Sequence, residues 1–194
     1  MNIPLKETTE ITANRLADSP LGKLSAGKAF DQPMIEYDKP LGLINENINN
    51  CPLEGNNGRW DGERGNGDWH PDRDYVPGKA NPEGKTWGKI LGKHGTDHIS
   101  FKDGKPDFSE ICKGTVKIDG FSDVRTDNFD KADAELARQS GRTPEDVAGW
   151  RKENGYTWHE CNDMKTMQAV PSEIHNNISH RGGISEVKKG NGEQ

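Results

Sequence analysis

The chain has 194 residues, of which 29% are hydrophobic and 30% charged, with 23 glycines and 11 prolines. Such a composition builds a small core with long loops and leaves no run near the ~18 apolar residues that a membrane-spanning helix needs. The formal net charge of −6 argues against a surface that is basic all over, and an odd number of cysteines (Cys51, Cys112, Cys161) without Cys-x-x-Cys spacing argues against a disulfide scaffold.

Residues 1–50 carry Pro4, Pro20, Pro33 and Pro40 among scattered apolar positions and read as a linker arm with at most short helices. Met1 to Pro20 lacks the apolar centre of a signal peptide, so the chain is expected to be cytosolic or a piece cut from a larger exported protein. From Asn56 to Gly84 the sequence is rich in Gly, Asn and Asp, and it is expected to be irregular loop pinned to the core by Trp60, Trp69 and, just beyond, Trp87. Asp61 to Asp68 resembles a calcium loop in composition but fails the EF-hand order and its terminal glutamate.

Pro106 to Ile111 and Thr115 to Ile118 read as short extended segments. Asn128 to Ser140 reads as a helix with Phe129, Ala132, Leu136 and Ala137 on one side, stopped by Gly141. Thr143-Pro144-Glu145-Asp146 opens another, with Thr143 as N-cap, proline in the first turn and buried positions at Val147 and Trp150. Its end at Gly155 delivers the chain into a strand through Thr157-Trp158-His159, a polar turn over Cys161 to Lys165, and a second strand from Thr166 to Val170. Pro171 stops that strand, and Ser172 is placed as N-cap of a helix through Glu173, Ile174 and His175, broken again by Gly182-Gly183. Half of the six histidines fall in this stretch, as His159, His175 and His180, beside Glu160. Imidazoles and a carboxylate brought together by a strand-turn-strand-helix unit are how a small hydrolytic metal site is built. The expected fold is therefore a loop-rich α+β domain with the site at its C-terminal end.

The run Trp158-His159-Glu160, then Thr166-Met167-Gln168-Ala169-Val170-Pro171, Ile174-His175 and His180-Arg181-Gly182-Gly183 resembles the WHH type of the HNH/endonuclease VII nucleases, found as C-terminal domains of bacterial polymorphic toxins. The resemblance implies a ββα-metal motif over about residues 156–183, a nuclease toxin domain over 51–194, and a pretoxin arm over 1–50. It also implies secretion or delivery as part of a larger toxin, action in the target-cell cytoplasm, and a cognate immunity protein. In this sequence Glu160 stands where the family has a second histidine.

The chemistry requires a divalent ion on a phosphodiester oxygen and a base for the attacking water. Candidate catalytic residues are His159, Glu160, His175 and His180. The preferred assignment makes His159 the base, with Glu160, His175 and His180 as metal ligands for Mg²⁺, Mn²⁺ or Zn²⁺. The competing one makes His159 a ligand and Glu160 the base. Arg181 is the candidate phosphate donor. Local charge supports this end of the chain, since Met164 to Gln194 carries four Lys/Arg against three Asp/Glu. DNA is the expected substrate. RNA is the nearest alternative, and a noncatalytic protein-binding module with a structural metal is the reading of a different class.

Overall fold

In the computed structural model the described residues are 47–192, so the expected arm lies outside them except for residues 47–50. A 3-10 turn (Ile48–Asn50) leads into β1 (Gly58–Glu63), β2 (Asn66–Pro71), α1 (Trp87–Lys93), β3 (Ile99–Lys102), β4 (Lys105–Pro106) and β5 (Thr115–Lys117). Then follow α2 (Arg125–Ser140), α3 (Pro144–Glu153), β6 (Tyr156–Glu160), β7 (Thr166–Pro171), α4 (Ser172–His175) and α5 (Gly183–Gly192). This is the expected mixed α+β fold, with a β-hairpin followed by a short helix at the C-terminal end. No helix among the described residues is long and apolar enough to cross a membrane.

The first sheet is antiparallel in the order β1-β2-β3-β4. The glycine-rich stretch expected to be irregular forms its first hairpin, in which Trp60 sits directly opposite Trp69. Two aromatics facing one core outweigh the poor strand propensity of their Gly and Asp neighbours. The turn at Arg64-Gly65 needs a left-handed residue, supplied by Gly65 at φ 81°. Arg64 then donates to the carbonyls of Cys51 (2.8 Å) and Pro52 (3.1 Å), tying the start of the domain to the hairpin. The tryptophans do pin this region: Trp60, Trp69 and Trp87 are buried in one cluster with Ile90, Leu91, Ile99 and Phe101. Helix α1 and strand β3 were not foreseen, being too short and too glycine-interrupted to show a period. The extended reading of residues 106–111 fails beyond Pro106, because Phe108 starts a turn closed by Cys112 N–H donating to its carbonyl at 2.9 Å.

The second sheet runs β5-β7-β6, with β7 in the middle. Its two faces meet different neighbours, as strand alternation requires. Trp158, Met167 and Ala169 join Val116, Ile118 and the α2 residue Ala132 in one cluster, whereas Val170 joins Phe108, Ile174 and Ile178 in the cluster that also holds the tryptophans of the first sheet. Helix α2 starts three residues before the expected Asn128 and ends as expected at Gly141, which is left-handed at φ 66°. Helix α3 carries the expected start as a full capping box between Thr143 and Asp146. Its inward face is Val147 and Arg151, while Trp150 is half-buried and stacks on Tyr156. Arg151 makes a buried bidentate pair with Asp133 of α2, at 3.1 and 2.7 Å, and Asp133 also accepts the Trp158 indole N–H at 2.8 Å. One carboxylate thus joins both helices to the strand that carries His159.

Candidate metal centre

Strands β6 and β7 are held in register by the turn between them. Asp163 accepts from the backbone N–H groups of Lys165 (3.1 Å) and Thr166 (2.8 Å) and from the Thr166 hydroxyl (2.6 Å), and Met164 takes a left-handed φ of 53°. The resulting register sets Trp158 opposite Ala169 and His159 opposite Gln168. Trp158 therefore faces α2, and His159 faces the opposite side of the sheet.

On that side α4 follows β7 without a gap. Ser172 is its first residue and makes no side-chain cap, the N-cap being Pro171, so the expected capping role of Ser172 is not realised. Ile174 is fully buried and fixes the single turn, which aims His175 at His159. The ring nitrogens His159 Nδ1 and His175 Nε2 are 3.2 Å apart. His180 completes the cluster: its ring centroid is 5.0 Å from that of His159 and 4.9 Å from that of His175. One ligand atom from each of the three lies within 4.8 Å of the others.

Gly182-Gly183 does more than break the helix after α4. A Cβ on Gly182 would sit 2.8 Å from the Glu160 carbonyl, and one on Gly183 would collide with the Cys161 carbonyl. Only glycine lets the chain pass this close to the end of β6, and that passage sets His180 against His159. Immediately after it the chain resumes as α5, which the sequence reading did not include.

Beneath the triad lies Phe108, fully buried, with its ring centroid 4.9 Å from that of His159, 5.9 Å from His175 and 5.6 Å from His180. Burial is the main cause that pushes all three imidazole pKa values down, His159 well below 6.5 and His175 to about 3. Neighbouring imidazoles lower His159 and His175 further, and the Arg125 guanidinium lowers all three. At neutral pH the rings are uncharged, the form that binds metals. His180 Nδ1 lies 2.8 Å from the Ile178 carbonyl and His175 Nδ1 lies 3.3 Å from the Asn176 amide oxygen. Protons on those Nδ1 atoms leave both Nε2 lone pairs directed away from their acceptors. A tetrahedral ion with metal–nitrogen bonds of about 2.0–2.1 Å needs nitrogens about 3.3 Å apart, close to the 3.2 Å between His159 and His175. The donor set fits a divalent transition-metal ion.

Glu160 is placed elsewhere. It is 4% exposed, points to the α2 side, and accepts from Asn128 Nδ2 at 2.8 Å and Arg125 Nε at 3.1 Å. It is not among the three residues whose ligand atoms converge. Arg181 is half-buried between His180 and Gly182. Two residues of the site's surroundings escaped the sequence reading. Phe108 lies about fifty positions upstream in a segment read as strand, and Arg125 was one charge among 26 Lys/Arg with no motif of its own.

Residues 98–182 match the family model for the DNase/tRNase domain of colicin-like bacteriocins. No curated protein matches the chain. The colicin-like span starts just before β3 and closes two residues after His180, so it contains the whole β6-β7-α4 unit, the three histidines, Phe108 and Arg125. It covers less than half of the 194-residue chain, is narrower than the span of the WHH resemblance, and makes that span similar to nuclease toxin domains of the HNH type, a family description that joins DNases and tRNases. Phosphodiester hydrolysis is the chemistry common to both. The first hairpin and α1 lie outside the colicin-like span, although they share a hydrophobic cluster with Val170, Ile174 and Ile178.

The other three histidines, and the cysteines Cys112 and Cys161, are not part of the triad. His70 and His98 face one another on the first sheet, and His94 lies 4.0 Å from Glu173. Cys112 contacts Ser109 and Thr115, and Cys161 contacts Gln168, with burial first among the causes that raise the Cys161 thiol to about 12. A protonated thiol is a poor metal ligand.

Proposed function

We propose that residues 51–194 form a metal-dependent endonuclease that hydrolyses DNA phosphodiester bonds and serves as an antibacterial toxin domain. On this reading the domain is delivered as part of a larger protein, acts in the cytoplasm of a competitor, and is neutralised in the producer by a cognate immunity protein. The observation that carries the reading is the convergence of His159, His175 and His180, all neutral, inside the colicin-like span.

Of the two role assignments left open by the sequence, the geometry favours His159 as a ligand. It shares the cluster with His175 and His180, and its depressed pKa makes it a weak proton acceptor. Three imidazoles favour zinc-class ions over Mg²⁺, which prefers carboxylate and water oxygens. Bound there, the ion would polarise a phosphodiester oxygen and stabilise the leaving oxygen. Arg125 keeps Nε on Glu160 while its side chain is 58% exposed, so its remaining N–H groups are available to a substrate phosphate. Glu160, with one donor on each carboxylate oxygen, retains acceptor capacity and takes the proton of the attacking water. Arg181 follows His180 and supplies a second phosphate donor.

DNA is favoured over RNA because sequence-selective RNA recognition stacks splayed bases on accessible aromatics, and Phe108, the ring bordering all three histidines, is fully buried. The test is incubation of purified protein with supercoiled plasmid and, separately, with total RNA including tRNA, under Zn²⁺, Mn²⁺, Mg²⁺ or chelator. Metal-dependent plasmid cleavage is expected. Cleavage confined to RNA would move the substrate, and no cleavage of either by folded, metal-loaded protein would sink the enzyme reading in favour of a structural-metal module.

A further inference from the structure

A second cluster with metal-ligand character lies on the first sheet, apart from the colicin-like motif, and it stands independently of the nuclease reading. The β2-β3 register pairs Asp68 with Ser100 and Trp69 with Ile99, which brings His70 level with His98 just beyond the ladder. Trp69 and Ile99 are buried in the core, so alternation puts Asp68, His70, His98 and Ser100 together on the other face. The two imidazole rings are 5.4 Å apart by centroid. Asp97 approaches both, with Oδ1 at 3.0 Å from His98 Nδ1 and 4.0 Å from His70 Nδ1. Ligand atoms of His70, Asp97 and His98 lie within 4.8 Å of one another.

On the far side of His98, Asp68 Oδ2 is 3.8 Å from Nε2, and Asp68 is itself oriented by the Ser100 hydroxyl at 2.6 Å. In the metal-free protein Asp97 Oδ1 is within hydrogen-bond distance of His98 Nδ1, and an ion that took the place of the proton between them would leave the Asp68 carboxylate behind Nε2 to favour a proton on the outer nitrogen. The shallow depression lined by Arg59, His70, Asp72, Arg73 and Asp97 gives an ion access from solvent.

We propose that His70, Asp97 and His98 form a second metal site, which takes a zinc-class divalent ion through two imidazole nitrogens and one carboxylate oxygen. Asp68 positions His98, and water completes the coordination. Two imidazoles with one carboxylate is a donor set such ions accept. The ion would tie strand β2 to the turn before β3 and so brace the sheet that the tryptophans build. Simple solvation of an exposed His-Asp group is the competing account, and it predicts no ion.

Equilibrium dialysis of the full chain against Zn²⁺, with the bound metal counted by elemental analysis, separates the two. Wild-type protein should bind one ion more than the double variant His70→Asn/His98→Asn, whether or not either cleaves nucleic acid. Asp68→Asn should weaken the second ion by about 10- to 100-fold. A His159→Ala/His175→Ala variant should lose the other ion and keep the one that depends on His98, so the two readings fail separately. Co²⁺ added to wild-type protein should broaden the imidazole NMR signals of His70 and His98, a readout that needs no variant to fold. Equal metal content in wild type and the His70→Asn/His98→Asn variant, or no broadening at these two rings, would overturn the site.

Discussion

Replacing Asp133 by alanine tests how β6 is held. The substitution strips Arg151 of both of its hydrogen bonds and leaves the Trp158 indole N–H without its acceptor. Arg151 and Trp158 are 7% and 1% exposed, so water cannot easily replace the lost partner. An uncompensated buried guanidinium costs about 3–5 kcal/mol, and an orphaned buried N–H costs about 1–3 kcal/mol. Because both depend on one carboxylate they do not simply add, and about 4–6 kcal/mol is expected. That is comparable to the whole stability of many domains, typically about 5–15 kcal/mol. Urea unfolding followed by tryptophan fluorescence measures it, with Trp158→Phe as the control that keeps the Asp133–Arg151 pair but removes the indole bond and part of a buried ring, and should cost about 2–4 kcal/mol. The double variant Asp133→Leu/Arg151→Met should recover most of the loss, since a hydrophobic replacement of a buried pair is often neutral. A loss below about 1 kcal/mol for Asp133→Ala would refute the claim that this network anchors the strand.

The pH dependence of the metal-free protein follows from His175, whose pKa is about 3 in the fold against 6.5 free. Its contribution is complete above 6.5 and is lost as pH falls toward 3, because the unfolded chain takes up the proton first. At about pH 5 the loss is about 2 kcal/mol, and His175→Gln should abolish that part of the drop in denaturant midpoint; an equal drop in both proteins would contradict the burial argument. Glu160→Gln should lower kcat by about 10²- to 10⁴-fold with metal affinity unchanged, whereas a matching loss of bound metal in dialysis would make Glu160 a ligand after all. Gly183→Ala, whose Cβ would collide with the Cys161 carbonyl, should destabilise by about 1–3 kcal/mol and weaken metal binding through His180. Unchanged zinc affinity in that variant would separate the glycine passage from the site.

Elements with strong local signals were legible before folding was considered. The capping box at Thr143, the glycine stop at Gly141 and the paired strands around Asp163 are each dictated by residues within a few positions. The histidine cluster was legible because its members fall within one short supersecondary unit. The first hairpin was hidden, since Trp60 and Trp69 reveal themselves as strand partners only once they face a shared core. Phe108 and Arg125 were hidden for a related reason: each reaches the triad through tertiary packing, and nothing adjacent in sequence marks it. The division between His159 and Glu160 follows from strand alternation, which turns consecutive residues to opposite faces of β6. That sets Glu160 against Asn128 and Arg125, while His159 meets His175 and His180.

The most direct test of the metal centre compares plasmid cleavage by wild type and His175→Ala across a Zn²⁺ titration from fully chelated protein. Chelated wild type should be inactive and recover as zinc is added, and His175→Ala should need far more zinc or remain inactive at saturation while still folded. Equal cleavage by chelated and zinc-loaded wild type, or an unshifted titration in the variant, would contradict the triad as the centre of this nuclease.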